Sequence, residues 1–159
     1  MRVKGFEPCF GGECDTLILG SFPSVKSRET DFYYGHPRNR FWGTLSEYFG
    51  APLPVTTEEK KALVLSHGIA LWDVVTECEI KGSEDASIRD YSVADVTSFV
   101  KEHGITRIFV NGKRALSILL AAHPDIAHMV CPLPSTSPAN PRFDKTAWFD
   151  ALDTFRPQA

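Results

Sequence analysis

The chain has 159 residues, 43% of them hydrophobic, which is enough for a single domain with a substantial core. No apolar run approaches the length of a membrane span, and the opening Met1-Arg-Val-Lys-Gly-Phe-Glu7 lacks the apolar centre of a secretory signal, so the chain reads as a cytoplasmic protein with no membrane role. A formal net charge of −3 does not announce a nucleic-acid binder, so any contact with phosphates has to come from local clusters: Arg28, His36, Arg38 and Arg40 in one loop, Lys113-Arg114 in another.

Apolar runs bounded by turn residues recur at intervals that suit strands alternating with helices. Thr16 to Leu19 predicts a first strand entering Gly20-Ser-Phe-Pro-Ser24. Trp42, Leu45, Tyr48 and Phe49 have helical spacing and predict a helix from Asn39 or Phe41 to Phe49, ending before Gly50-Ala-Pro52. Thr56 or Thr57 caps the next helix, with acidic residues in its first turn and His67-Gly68 at its end. Ile69 to Val75 reads as a second strand, and the polar stretch from Glu77 to Arg89 as a mobile surface loop.

Ser92 is the expected cap of a helix reaching about His103, with Val93, Val96, Phe99 and Val100 on one face. Arg107 to Val110 forms the third strand, Asn111-Gly112 turns, and Lys113 to about Ala122 is helical. His128 to Cys131 reads as the fourth strand, leading into Pro132 to Pro141, and a last helix from about Lys145 to Phe155 turns Trp148, Leu152 and Phe155 inward. Strands separated by helices imply parallel pairing with right-handed crossovers, hence an α/β fold, a three-layer α/β/α sandwich on a four-stranded parallel sheet, spanning residues 1–159 as one domain. In such sheets the ligand crevice lies beyond the carboxyl ends of the strands. Gly20 to Ser24, Trp72-Asp73, Asn111 to Lys113 and Pro134 to Asn140 should therefore meet there.

Familiar catalytic signatures are missing: no GxSxG elbow, no P-loop, no GxGxxG and no HExxH. The four cysteines, Cys9, Cys14, Cys78 and Cys131, have no CxxC spacing and read as buried or incidental thiols. What remains is a set of neutral polar groups (Asn39, Asn111, Asn140, Ser21, Ser135, Ser137) with one histidine and several arginines. The segment Phe32 to Trp42 is too rich in large apolar groups for an exposed connector, so it forms a structural plug or, as we favour, a pocket wall. Asn39 on its own is equally a helix cap, Asn111-Gly112 equally a turn, and Asp73 reads as a structural support.

Gly20-Ser-Phe-Pro-Ser24, Tyr33-Tyr-Gly-His-Pro-Arg-Asn-Arg-Phe-Trp42 and Leu133-Pro-Ser-Thr-Ser-Pro-Ala-Asn140 together resemble the uracil-DNA glycosylase superfamily, and are most similar to its hypoxanthine (deoxyinosine) branch. The resemblance runs over nearly the whole chain. It implies a monomeric enzyme, without metal or cofactor, that acts on DNA containing deaminated bases and hydrolyses the N-glycosidic bond of a flipped-out base. It also implies site residues: Asn39 as the catalytic group; Gly20, Ser21, Phe22, Pro23, Tyr33 and Asn111 around the base; and His36, Arg38, Arg40, Lys113, Pro134, Ser135, Thr136, Ser137 and Asn140 along the DNA. The chain departs from the standard uracil enzymes in lacking an acidic residue within Gly20 to Ser24 and a histidine within Ser135 to Pro138. It also lacks the cysteine pattern of the iron–sulfur members. Hypoxanthine release is accordingly the expected activity, with uracil or mismatch glycosylase and a non-catalytic nucleic-acid-binding module as the alternatives.

Overall fold

The computed structural model describes residues 2–80 and 88–155. In chain order these form β1 (Arg2–Lys4), β2 (Thr16–Gly20), α1 (Val25–Thr30), α2 (Phe41–Phe49), α3 (Thr57–Leu65), β3 (Ile69–Asp73) and β4 (Val75–Ile80). There follow β5 (Ile88–Val93), α4 (Val96–His103), β6 (Arg107–Asn111), α5 (Lys113–Ala122), a 3-10 turn (Pro124–Met129), β7 (Val130–Leu133) and α6 (Lys145–Thr154).

The central sheet has the order β3-β2-β6-β7 and is parallel throughout. Its inner strands are apolar on both faces, as a sheet covered by helices on each side requires. Successive side chains alternate across it. Leu17, Leu19, Ile108 and Val110 join a core with Val96, Phe99 and Val100 of α4 and Ala115, Ile118 and Leu119 of α5. Ile18, Phe109, Ile69 and Leu71 face the other way, against Phe41, Trp42 and Leu45 of α2, Leu63 and Val64 of α3, and Trp148 and Leu152 of α6. The expected three-layer sandwich on four parallel strands follows directly from that alternation.

The helices start where local chemistry tells them to. Thr56 and Glu59 form a reciprocal capping box at α3, and Asp144 accepts from the Thr146 N–H at α6. Gly50 closes α2 in the left-handed conformation that glycine adopts without a steric cost.

Several expectations need correcting. Ser92 does not cap α4; it lies within β5, pairing with Glu77, and Asp95 caps the helix through the Ser98 N–H. The stretch from Glu77 to Arg89 is not a loop over its described part. Residues 77–80 and 88–89 belong to an antiparallel sheet of order β1-β4-β5, while 81–87 lie outside the described residues. Register shifts in β4 break the two-residue alternation by which a strand is read, and Glu77 and Glu79 give it a loop-like composition. Arg2 answers that charge, meeting Glu77 at 3.0 Å and donating to the Asp90 carbonyl. The Ile69–Val75 run is cut at Val74, where the Val74 and Val75 N–H groups donate to the Gly20 and Ser21 carbonyls and carry the chain around the end of β2. The last strand begins at Val130, because Pro124 opens a 3-10 turn that takes up His128 and Met129. Among the described residues no helix is long and apolar enough to cross a membrane.

Candidate active site

Gly20, Asp73, Asn111 and Leu133 end the four parallel strands side by side, and a pocket of about 320 Å³ opens above the first three of them. Gly20 to Ser24, Tyr33, His36, Asn39, Asn111 to Lys113 and Ser135 to Ser137 all line it, so the distant segments meet where the parallel topology requires. Arg38 is exposed, and Arg40, Pro134 and Asn140 lie outside the lining.

Asn39 reaches the pocket from the turn that leads into α2. Its Oδ1 accepts the Phe41 N–H at 2.9 Å, and its own N–H donates to the His36 carbonyl. With the acceptor end tied down, Nδ2 carries no hydrogen bond among the described residues and stands as a preset donor at the pocket wall. His36 is fixed in the same turn. Its Nδ1 accepts the Arg38 N–H at 3.0 Å, which puts the neutral ring's proton on Nε2.

The aromatic segment is both wall and plug. Tyr33 is 2% exposed, donates its hydroxyl to the Glu7 carbonyl and packs edge-on against Phe6. Trp42 donates Nε1 to the Tyr33 carbonyl. Phe22 is buried in the core beneath the pocket, with the Arg28 guanidinium over its ring at 5.9 Å.

The Pro134–Asn140 loop is held at several points. Trp148 donates Nε1 to the Pro134 carbonyl, and Asn140 donates its amide to the Ser135 carbonyl. Asn111 bonds the buried Thr136 twice, from Nδ2 to Oγ1 and from the Thr136 N–H to Oδ1, each at 3.0 Å. Arg40 crosses from α2 to the same loop. Its Nη2 donates to the Ser137 and Asn140 carbonyls at 2.5 and 2.7 Å, and its ring partner is Phe143. Arg40 and Asn111 therefore spend their strongest groups inside the protein, holding the loop against the Asn39 turn. Replacing Asn111 by alanine should leave Thr136 with a buried N–H and hydroxyl unpaired and cost about 1–3 kcal/mol. A lower urea midpoint at unchanged slope is the expected reading.

Two pocket residues carry more than their sequence positions suggested. Asp73, read from the sequence as a support, is 4% exposed and lines the floor. Tyr34, which the sequence singled out only as part of the aromatic run, stacks on Phe41 at 4.0 Å and takes a left-handed φ of 54°. That conformation is a genuine outlier for a bulky residue and is invisible in a string of letters. Gly20 explains their proximity: a methyl group built on it would lie 2.6 Å from Asp73 Oδ1 and 3.0 Å from the Tyr34 hydroxyl.

No protein-family model matches the chain. A hypoxanthine DNA glycosylase of Methanosarcina acetivorans is 34% identical over 149 residues, covering 91% of this chain and 92% of that protein. The chain belongs to the hypoxanthine DNA glycosylase family. A second hypoxanthine DNA glycosylase, from Methanosarcina barkeri, is 32% identical over 118 residues, 72% of this chain and 74% of its own. In solved structures, the glycosylase fold recurs in a Methanosarcina acetivorans protein determined by solution NMR and provisionally described as a uracil DNA glycosylase. It has a TM-score of 0.79 and 33% identity, covering 97% of this chain and all of that one. As a DNA glycosylase the chain needs a place for one extruded base and a surface for the strand that carries it.

Proposed function

We propose that this DNA glycosylase extrudes hypoxanthine from DNA and hydrolyses its N-glycosidic bond in the pocket above β2, β3 and β6. The observation that carries the reading is the Asn39 amide, whose acceptor end is consumed by the Phe41 N–H and whose donor end is left at the pocket wall. Hypoxanthine departs as an anion from an oxocarbenium-like sugar, so the leaving base needs preorganised donors. Asn39 Nδ2 supplies one. Water attacks C1′ as the bond to N9 breaks; the electron pair goes to the purine, the oxygen to the sugar, and the water's proton finally to the base. An amide is no general base at neutral pH, so Asn39 acts on the leaving group.

Arg38 outside the pocket and Lys113 in its lining are exposed and suited to backbone phosphates, the N–H groups at the start of α5 adding partial positive charge. Ser135 and Ser137 present the loop to the strand, while Arg40, Asn111 and Thr136 hold that loop in place. We read the enzyme as a cytoplasmic monomer that leaves an abasic site for later repair.

The structural neighbour described as a uracil DNA glycosylase motivates a second substrate in the test. Labelled duplexes containing inosine or uracil are incubated with the enzyme, treated with alkali and resolved on a gel. Scission at inosine is the expected result. Scission at uracil alone would transfer the reading to uracil, and salt-sensitive DNA affinity with no scission would make the protein a binding module.

A further inference from the structure

Asp73 and Tyr34 are two polar groups of the pocket that the reaction above leaves unused, and both converge on the space over Gly20. Their placement is imposed from several directions. Gly20 and Asp73 are register partners on neighbouring strands, so the sheet itself sets the carboxylate beside the pocket floor. Tyr34 is held by stacking on Phe41, and its left-handed backbone is the kind of strain that persists where surroundings over-determine it. The Tyr34 hydroxyl is buried, and among the described residues no acceptor takes its proton. The neighbouring Asn111 has its carbonyl oxygen and one amide N–H committed to Thr136.

A carboxylate oxygen accepts; a phenol donates. Burial, and after it the Asp73 carboxylate, hold the Tyr34 phenol far above the pH range in which it could ionise, with the Asn111 amide working against them. Tyr34 is thus a donor at neutral pH. An acceptor beside a donor is the complement of a lactam edge, in which a ring N–H adjoins a carbonyl. Hypoxanthine has that edge at N1 and O6. Adenine presents a lone pair at N1, which a carboxylate oxygen repels where it would accept from the N1–H of hypoxanthine.

We infer that Asp73 and Tyr34 form the base-reading pair of this pocket, Asp73 accepting the N1–H of the extruded purine and Tyr34 donating to its O6. The inference rests on the hypoxanthine reading given above. The two residues divide the work. The bond to Asp73 is made as fully with the bound base as later, so it selects. The bond to Tyr34 strengthens as the glycosidic electrons spread toward O6, so it also favours departure.

The test is single-turnover base release from duplexes carrying inosine or purine deoxynucleoside, which lacks both the N1–H and O6, by the wild type, Asp73→Asn and Tyr34→Phe. Each variant is expected to lose roughly 10- to 100-fold on inosine, the scale of one hydrogen bond to a charged or buried group, and less than about threefold on the purine analogue. Equal losses on both substrates would overturn the pair, since a merely structural role weakens both alike. If Asp73→Asn does not fold, Tyr34→Phe decides alone by the same ratio. A wild type silent on inosine overturns the hypoxanthine reading and the pair with it; a wild type active on inosine with variants unchanged overturns only the pair.

Discussion

Asn39→Asp is expected to keep the fold and to lower base release from inosine DNA by on the order of 10²- to 10³-fold. The reason lies in the two ends of one amide. Oδ1 accepts the Phe41 N–H and so opens α2, and a carboxylate serves equally well at a helix N-terminus, where it also meets the positive end of the dipole. Nδ2 is what aspartate lacks. The substitution removes the donor and places negative charge where the leaving purine becomes an anion. Asn39→Ala loses both ends, so it should show a comparable loss of rate together with about 1 kcal/mol of stability. Thermal melting beside single-turnover kinetics separates the two roles. An Asn39→Asp enzyme that melts like the wild type and releases hypoxanthine at the wild-type rate would take Asn39 out of the chemistry.

Gly20→Ala is expected to be more damaging than its single methyl group suggests. The new carbon would stand 2.6 Å from Asp73 Oδ1 and 3.0 Å from the Tyr34 hydroxyl, and the first is closer than real side-chain atoms approach. Neither neighbour yields easily: Asp73 closes a parallel strand in register with Gly20, and Tyr34 is pinned on Phe41. Overpacking of this sort costs about 1–3 kcal/mol. Activity should suffer more than stability, because displacing the floor by about 1 Å misplaces the base, and misplacements of that size cost about 10²-fold. The check is a fall in rate of that order in protein whose urea midpoint moves by no more than the overpacking cost. Near-normal base release would mean the base does not reach down to Gly20.

The site was partly legible before any coordinates. Glycine at the end of an apolar strand and the serine- and proline-rich segment after the last strand are chain-local patterns, and parallel topology sends every strand end to one crevice. Asn39 was legible as a group with two possible jobs; the geometry has one end accepting the first N–H of α2, just ahead of the N-cap Arg40, while the other faces the pocket. Arg40 and Asn111 illustrate what composition conceals. Both looked suited to ligands, and both are engaged with carbonyls or with Thr136 across 25 to 100 residues of chain.

By itself the amino-acid sequence determined the layered α/β plan, because a two-residue alternation of Leu, Ile, Val and Phe leaves a parallel strand no stable place except between helices. It also determined the family, 34% of residues being identical to those of a relative over 91% of the chain. Only the tertiary structure decided that the charged stretch around Glu77 pairs into a second sheet, because its partners come from Arg2–Lys4 and Ile88–Val93. Only the tertiary structure, too, brought Asp73 and Tyr34 to either side of Gly20. Hydrogen-bond register and a left-handed backbone at one tyrosine are set by contacts between distant segments, and no local pattern of residues encodes them.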